Sequence, residues 1–231
     1  MGIMSALFMA DALGLLDGDP RVKPADLQLY AVTDSRWLKD GETLAGQVEK
    51  AIRGGATFVQ LREKDACDEE FIRVAREVRA VCKLYKVPFV INDRVDIAKL
   101  VDADGVHVGQ DDESAKDARR ELGEGKIVGV SCKTIEQALK AQRDGADYLG
   151  VGAMFNTGTK LNAAPVTLED LKRICKASSV PVVAIGGIDK DNISELSGSG
   201  IAGVAVVSAL FAQDDVQAAA DELKRRVLQI V

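Results

Sequence analysis

Short apolar runs alternate with longer amphipathic segments from Leu27 onward, and this alternation limits the fold more than any other feature of the chain. Eight runs are rich in Val, Ile and Ala without strict alternation of apolar and polar positions, as expected for parallel strands that are covered on both faces. The predicted strands are LQLYAVT (27–33), TFVQL (57–61), PFVIN (88–92), GVHVG (105–109), IVGVS (127–131), YLGVG (148–152), PVVAIG (181–186) and GVAVVS (203–208).

The segments between these strands have the spacing of helices. In the clearest one, DEEFIRVAREVRAVCKLYK (68–86), apolar residues recur at helical spacing and form a single stripe. Asp68 is predicted to be its N-cap, and Thr134 with Gln137 has the spacing of a capping box. Glycines that shortly precede several strands predict left-handed helix ends, as in RGGATF, VDADGV, RDGADY and GSGIAG.

Eight βα units in about 200 residues predict an α/β protein with a (β/α)8 TIM barrel. Residues 24–231 are predicted to form this single catalytic domain, and residues 1–23 a short N-terminal extension of unknown role. An open, doubly wound sheet is the alternative, but the G-x-G-x-x-G motif usual after its first strand is missing.

Composition excludes several classes of function. The net charge is −6 and aromatic residues make up 4%, so neither a basic stripe nor stacking platforms for nucleic acid are expected. The apolar start of the chain lacks preceding Lys or Arg and is interrupted by Asp11, so neither a signal peptide nor a membrane span is predicted. Four scattered cysteines and one histidine make zinc improbable and fit free thiols in the cytoplasm.

Polar residues lie at the C-terminal end of nearly every predicted strand or directly after it. Because chemistry in these barrels takes place at the C-terminal ends of the strands, these residues predict a functional mouth. They are Thr33 and Asp34, then Gln60, Arg62 and Lys64, then Asn92 and Asp93, then Gln110, Asp111 and Asp112, and then Ser131 and Lys133.

The charges at this mouth predict a metal and a diphosphate. Arg62, Lys64 and Lys160 supply three cations, whereas Asp93 and Asp112 supply two carboxylates. Carboxylates after neighbouring strands, roughly 5 Å apart in a sheet, repel each other unless a cation lies between them. Mg²⁺ favours one or two carboxylates together with substrate phosphate oxygens. The resulting site would match a diphosphate of about three negative charges.

A second anion site is predicted at the last two strands. Gly186-Gly187 and the end of the eighth strand lie where barrels often bind phosphate through backbone N–H groups. Thr157, Gly158 and Thr159 would add donors from the long loop after the sixth strand. The mouth is therefore expected to hold two small molecules, one with a diphosphate and one with a monophosphate.

Each of these features alone has a simpler explanation. Charged residues after a strand usually form a solvated loop, and Asn92-Asp93 or the Asp111–Glu113 run is typical of a helix start. His107 lies within a strand and is expected to be structural. A sugar-phosphate epimerase or isomerase, and an inactive phosphate-binding barrel, are alternatives. Convergence of the polar residues on one face favours a site.

The chain resembles the thiamine phosphate synthase (thiamin-phosphate pyrophosphorylase) family over essentially its whole length after Leu27. The matching stretches are VTD (32–34), GGATFVQLREK (54–64), INDRVDIA (91–98), ADGVHVGQDD (103–112), IVGVS (127–131), DYLGVGAMFNTGTK (147–160), VPVVAIGGI (180–188) and GVAVVSAL (203–210). The resemblance implies a transferase that joins 4-amino-2-methyl-5-(diphosphooxymethyl)pyrimidine to 4-methyl-5-(2-phosphooxyethyl)thiazole. The products are thiamine phosphate and diphosphate, and a homo-oligomer is compatible with the sequence.

The resemblance also implies a role for each matching residue. Asp93 and Asp112 would bind Mg²⁺, and the catalytic residues would be Arg62, Lys64, Ser131 and Lys160. The substrates would be bound by Gln60, Leu61, Arg62, Glu63, Lys64, Asn92, Ser131, Thr157, Gly158, Thr159, Lys160, Gly187, Val207 and Ser208. A related thiazole tautomerase is the nearest alternative. By the same resemblance, such proteins depend on a histidine after the fifth strand and often lack the diphosphate cluster, whereas here His107 is the one histidine and the cluster is intact.

Overall fold

Eight parallel strands close into a barrel in the order of the sequence, as seen in a computed structural model that describes residues 21–110, 112, 114–156 and 165–231. The strands are β1 (Leu29–Val32), β2 (Phe58–Leu61), β3 (Phe89–Asn92), β4 (Gly105–Val108), β5 (Ile127–Cys132), β6 (Tyr148–Val151), β7 (Val182–Ile185) and β8 (Gly203–Val206). Each strand lies within or against its predicted run, so the (β/α)8 prediction is confirmed and the open sheet is wrong.

Helices connect the strands around the outside of the barrel. In the described ranges they are α1 (Leu44–Arg53), α2 (Asp68–Tyr85), α3 (Val95–Leu100), α4 (Ala115–Leu122), α5 (Ile135–Arg143), α6 (Leu168–Ala177), α7 (Ser208–Phe211) and α8 (Val216–Val227). Short 3-10 helices are formed by Pro24–Leu27, Ser35–Trp37 and Ile193–Leu196. The last of these stands between β7 and β8, where other units have an α-helix.

The apolar residues divide into two clusters. The larger one lies between the strands and the helices and includes the α2 stripe residues Phe71, Ala75 and Val78. The smaller one contains Tyr30, Phe58 and other strand residues that face the barrel interior. Because side chains alternate across a strand, every strand except β4 supplies both clusters, which explains the nearly continuous apolar sequences.

Two glycines make room for large polar rings inside the barrel. A Cβ on Gly129 of β5 would lie 2.1 Å from Cζ of Tyr148, and one on Gly150 of β6 would lie 3.2 Å from Cε1 of His107. Neither position can carry a side chain without displacing its neighbour. The interior is therefore built around Tyr148 and His107.

The predicted helix starts are only partly confirmed. Thr134 accepts a hydrogen bond from the Gln137 N–H at 3.3 Å, as the capping-box spacing predicts. The prediction for α2 is wrong by one residue, because Cys67 is the N-cap and Asp68 is the first helical residue. Asp68 instead accepts a hydrogen bond from the Arg94 guanidinium at 2.7 Å. In VDADGV the left-handed residue is Asp102, with φ of 53°, and not the glycine.

The chain already contacts the barrel at its first described residues. Arg21 forms ion pairs with Glu124 at 2.8 Å and Asp147 at 2.7 Å, and Val22 is buried. Residues 1–20 of the predicted extension lie outside the described residues. Within the described ranges, no helix combines the length and apolar character needed to cross a bilayer.

Candidate active site at the C-terminal mouth of the barrel

The strand ends bring the predicted site residues of β2, β3 and β5 to one end of the barrel. Gln60 pairs with Val32 of β1, Asn92 ends β3, and Ser131 pairs with Gly150 of β6. Gln60 is buried, whereas Asn92 and Ser131 are half-buried. A buried amide and two partly accessible polar groups thus line this end of the barrel.

Arg62 is held in place by two residues from the end of β1. Its backbone N–H donates to Thr33 Oγ1 at 2.9 Å, and its guanidinium lies 3.8 Å from Asp34 Oδ2. Only 12% of the Arg62 side chain is exposed. The guanidinium is therefore confined to the mouth and cannot swing freely through solvent.

Asp34 also binds Arg36, an interaction that sequence reasoning missed. The Arg36 guanidinium donates to Asp34 Oδ1 at 2.9 Å and to Oδ2 at 2.5 Å. Hydrogen bonding from Arg36 lowers the pKa of Asp34 below its usual 3.8, with burial opposing and Arg62 adding a smaller effect. The charges of Asp34 and Arg36 cancel each other, so the net charge predicted for the mouth from the other residues is unchanged.

The rest of the LREK segment divides between buried and exposed positions. Leu61 is fully buried as the last residue of β2, whereas Lys64 is exposed in the following loop. Burial raises the pKa of Glu63, and a hydrogen bond from Ser35 opposes that rise. One carboxylate oxygen of Glu63 is buried without a hydrogen-bond partner. The site at this loop therefore includes one acceptor that the described protein groups do not satisfy.

The two predicted metal ligands follow adjacent strands, β3 and β4. Asp93 is half-buried and has the left-handed φ of 62°, with its N–H donating to the His107 carbonyl at 2.9 Å. Asp112 is exposed, and its Oδ2 accepts the Gly109 N–H at 2.8 Å. Among the residues that the structure describes, no cluster of three or more His, Cys, Asp or Glu side chains could hold a metal. A cation at Asp93 and Asp112 would thus need further ligands.

A continuous series of hydrogen bonds lies beneath the mouth. Gln60 Nε2 donates to Tyr30 Oη at 2.6 Å, and the Tyr30 and Tyr148 hydroxyls are 2.7 Å apart. His107 lies between Tyr148 Oη and Ser131 Oγ, each 2.9 Å from one ring nitrogen. Tyr30 of β1 thus joins Gln60 of β2 to Tyr148 of β6, and His107 of β4 joins Tyr148 to Ser131 of β5. Sequence reasoning missed the two tyrosines, because only the closed barrel brings them together.

The predicted phosphate pocket at the last two strands has a suitable backbone. Gly186 and Gly187 have φ of 90° and 69°, and a Cβ on Gly187 would lie 2.7 Å from the Asn156 carbonyl oxygen. Val207 is half-buried next to the end of β8, and Ser208 begins α7. Thr157, Gly158, Thr159 and Lys160, which were predicted to join this mouth, lie outside the described residues.

Three cysteines, two buried and one half-buried, are not activated as nucleophiles. Burial raises the pKa of Cys82 and of Cys132 to about 12, and that of Cys175 to about 11. A thiol with such a pKa is protonated near neutral pH and is a poor nucleophile. All four cysteines are free, as predicted.

These features define a (β/α)8-barrel enzyme whose polar groups gather where the strands end. The profile described as thiamine monophosphate synthase matches residues 29–210. A thiamine-phosphate synthase of Clostridium botulinum (strain Eklund 17B / Type B) is 50% identical over 199 residues, which cover 86% of this chain and 93% of that relative. One of Clostridium tetani (strain Massachusetts / E88) is 49% identical over 201 residues, 87% of this chain and 96% of that relative.

A solved structure supports the same assignment. Thiamine phosphate pyrophosphorylase from Pyrococcus furiosus superposes with a TM-score of 0.81 at 38% identity, covering 90% of this chain and 98% of that one. The chain belongs to the thiamine monophosphate synthase family and is a transferase of thiamine biosynthesis. The resemblance noted from the sequence motifs is thereby confirmed.

Proposed function

We propose that this enzyme joins 4-amino-2-methyl-5-(diphosphooxymethyl)pyrimidine to 4-methyl-5-(2-phosphooxyethyl)thiazole, giving thiamine phosphate and diphosphate. The observation that carries the proposal is the placement of Gln60, Arg62, Asn92 and Ser131 at one end of the barrel. Family membership supplies the reaction type, and these groups match the parts of a pyrimidine that carries a diphosphate.

The diphosphate is bound by Arg62, Lys64, Asn92 and Lys160. Arg62 presents a planar set of N–H donors, which suits bidentate contacts to phosphate oxygens. Asp34 lies 3.8 Å from the Arg62 guanidinium and limits the orientations that the guanidinium can adopt. The guanidinium is thus oriented before the substrate arrives, which lowers the entropic cost of binding.

The pyrimidine ring contacts Gln60 and Ser131, with Leu61 and Glu63 completing that side of the site. Gln60 and Ser131 are connected beneath the mouth through Tyr30, Tyr148 and His107. The ring of the substrate has both hydrogen-bond donors and acceptors. An amide and a hydroxyl held at fixed positions can recognise both.

Asp93 and Asp112 suit Mg²⁺ as the metal. Both supply hard carboxylate oxygens, and the two residues follow the adjacent strands β3 and β4. This matches the preference of Mg²⁺ for one or two carboxylates plus water and substrate phosphate. When bound, Mg²⁺ would neutralise negative charge on the diphosphate.

The reaction needs no covalent nucleophile of the protein. The C–O bond breaks with its electron pair leaving on diphosphate, and the aminopyrimidine ring delocalises the positive charge left on its methylene carbon. The thiazole nitrogen then donates its lone pair to that carbon and forms the C–N bond. Arg62, Lys64 and Lys160 stabilise the charge on the departing diphosphate, usually a large contribution to catalysis. Binding both substrates side by side adds the advantage of proximity.

The thiazole phosphate is held at the other side of the mouth. Gly187, Val207 and Ser208 form its pocket, together with Thr157, Gly158 and Thr159. Gly187 has a left-handed φ of 69°, and a side chain there would collide with the Asn156 carbonyl oxygen. Separate sites for the two phosphate-bearing groups would place the thiazole nitrogen beside the pyrimidine methylene carbon.

The direct test is to mix purified protein with both substrates and Mg²⁺ and to measure diphosphate and thiamine phosphate together. We expect stoichiometric release of both products, none when either substrate is omitted, and loss of activity in EDTA that Mg²⁺ restores. Absence of product under all conditions would leave an inactive phosphate-binding barrel. Full activity in EDTA would exclude the metal role.

Asp112→Ala tests the proposed metal ligand. Because the variant would lose a ligand of Mg²⁺, we expect turnover to fall at least about 100-fold. The melting temperature should stay nearly constant, because Asp112 is exposed and its Oδ2 accepts one backbone hydrogen bond. Asp221→Ala on α8, which loses one exposed ion pair with Arg225, is the control and should retain full activity. A large loss of stability in Asp112→Ala would make this aspartate structural.

A further inference from the structure

The hydrogen-bond series beneath the mouth contains three residues with no role in the proposed reaction. Its ends, Gln60 and Ser131, are the residues proposed to contact the pyrimidine. Between them lie Tyr30, Tyr148 and His107, joined by contacts of 2.6, 2.7, 2.9 and 2.9 Å. Two substrate-facing groups on opposite parts of the barrel are therefore linked through its interior.

The two tyrosines are buried where hydroxyl groups are costly. Tyr30 is 1% exposed and Tyr148 0%, and their rings pack edge-on against Phe58 with centroids 4.6 and 5.5 Å away. Phenylalanine would provide the same ring packing without burying a polar group. β1 and β6 are separated in the sheet by β7 and β8, so the hydroxyl contact spans the interior. The hydroxyls thus serve the hydrogen-bond series and not the ring packing.

The orientation of the Gln60 amide, with its nitrogen toward Tyr30, sets the direction of each hydrogen bond in the series. The amide nitrogen of Gln60 can only donate, so the Tyr30 oxygen accepts. Tyr30 then donates to Tyr148, and Tyr148 donates to Nδ1 of His107. A neutral imidazole that accepts at Nδ1 carries its proton on Nε2, and that proton is donated to Ser131 Oγ. Burial raises the pKa of both phenols, which keeps them protonated and able to donate.

The opposite direction leaves a buried donor unmatched. If Tyr148 donated to Tyr30, the Tyr30 proton would have no acceptor in this series, because its other partner there is the Gln60 amide nitrogen. An unsatisfied hydroxyl proton in an apolar interior is costly. The series therefore has one favoured polarity.

We propose that Tyr30, Tyr148 and His107 are positioning residues that set the hydrogen-bond polarity of both ends of the site. With its nitrogen engaged by Tyr30, Gln60 keeps its carbonyl oxygen as the acceptor for substrate. With its oxygen engaged by His107, Ser131 keeps its proton as the donor. An aminopyrimidine is the complement, since its exocyclic amine donates and its ring nitrogens accept. This assignment of the ligand rests on the proposed function, whereas the polarity does not.

The polarity can be measured without substrate, because His107 is the one histidine in the chain. Nitrogen-15 labelled histidine in the full-length protein gives the NMR signals of a single imidazole. We expect the wild-type ring to be neutral and protonated on Nε2. Tyr148→Phe removes the donor to Nδ1 and should shift the ring toward the Nδ1-protonated form. A wild-type ring protonated on Nδ1, or signals unchanged in Tyr148→Phe, would overturn the proposal.

Tyr85→Phe is the matched control. Its hydroxyl bonds to Arg53 and Glu49 on the helical surface, and it does not contact the hydrogen-bond series. The imidazole signals should stay as in the wild type. Tyr30→Phe is the second test variant, and we expect it to alter the His107 signals in the same direction as Tyr148→Phe. If one of the two variants folds poorly, the other still tests the proposal.

Steady-state kinetics provide the second readout. We expect Tyr148→Phe and Tyr30→Phe to lower kcat/KM for the pyrimidine diphosphate about tenfold, with the KM for the thiazole phosphate little changed. Tyr85→Phe should match the wild type. Equal effects on both substrates would indicate general loosening of the barrel and contradict positioning. If the wild type makes no thiamine phosphate, the proposed function fails, and the NMR result still decides the polarity.

Discussion

Asp34 shows how one buried carboxylate can organise a site made of cations. It is 4% exposed and binds Arg36 through both oxygens while lying 3.8 Å from Arg62. Charge-assisted hydrogen bonds of this kind are stronger than neutral ones, and they orient the guanidinium groups. The charges of the mouth can be identified from the sequence, but the structure shows that Asp34 helps to hold Arg62 in place.

Asp34→Asn should destabilise the protein in a pH-dependent way. The pKa of Asp34 is below 3.8 in the folded state, because Arg36 favours the ionised form. Its stabilisation is therefore fully present above the unfolded pKa and is lost as the pH falls through the folded pKa. At pH 7 we expect a loss of about 2 kcal/mol in the free energy of unfolding. The difference between wild type and variant should shrink below about pH 4, as measured by urea unfolding at several pH values.

Asp214→Asn is the control for this measurement. Asp214 forms an ion pair with Lys39 at 2.7 Å, but its side chain is fully exposed. Exposed pairs contribute little to stability, so the variant should unfold like the wild type at every pH. A pH-independent gap between wild type and Asp34→Asn would show that the charge of Asp34 is not the source of its effect.

At the scale of elements, the strands were predictable because their residues are buried on both faces. A parallel strand covered by helices and filled from inside has few polar positions, so its run of Val, Ile and Ala is distinct from the helices around it. Helix starts are less predictable. Asp68 has the residue type of an N-cap, but its carboxylate binds Arg94, and the helix begins one residue earlier than the cap prediction implies.

The site was predictable only in part, for a geometric reason. Polar residues that end or directly follow a strand, such as Asn92 and Arg62, can be placed from the sequence, since strand ends meet at one edge of the barrel. The Tyr30 and Tyr148 contact joins residues 118 positions apart on strands that are not neighbours. It depends on barrel closure and on the space left by Gly129, neither of which a local pattern reports.

The turn after β7 gives a prediction at this scale. Gly187→Ala places a Cβ 2.7 Å from the Asn156 carbonyl oxygen and 2.8 Å from that of Phe155, at a φ of +69°. We expect it to lose roughly 2–4 kcal/mol of unfolding free energy and to raise the KM for the thiazole phosphate. Gly41→Ala is the control, because its φ is +80° but no atom lies within 4 Å of the added Cβ. It should lose about 1 kcal/mol and leave KM unchanged. Equal losses would mean that the close contact does not matter.

At the scale of the whole molecule, the net charge is negative, but positive charges gather at particular places. The chain carries −6, so its average field opposes an anionic substrate, and binding depends on cations gathered locally. Cations also line a cavity of about 570 Å³ near the N-terminal ends of β3 to β5, including Lys83. Two of these cations, Arg79 and Lys126, form ion pairs with Asp102. Cations at this end of the barrel can therefore serve as a comparison for those at the proposed site.

Added salt should lower kcat/KM by screening the cations at the mouth of the barrel, and not by screening charges elsewhere. Exposed charges are screened beyond about 10 Å at 0.1 M ionic strength and about 3 Å at 1 M. We therefore expect kcat/KM for the pyrimidine diphosphate to fall several-fold as salt increases. Lys64→Ala should lower kcat/KM about tenfold at low salt and flatten the salt dependence, because the exposed Lys64 is one of the cations that attract the diphosphate. Lys83→Ala at the opposite end removes the same charge from the whole molecule. If it flattened the salt dependence equally, net charge and not the arrangement at the mouth would govern substrate capture.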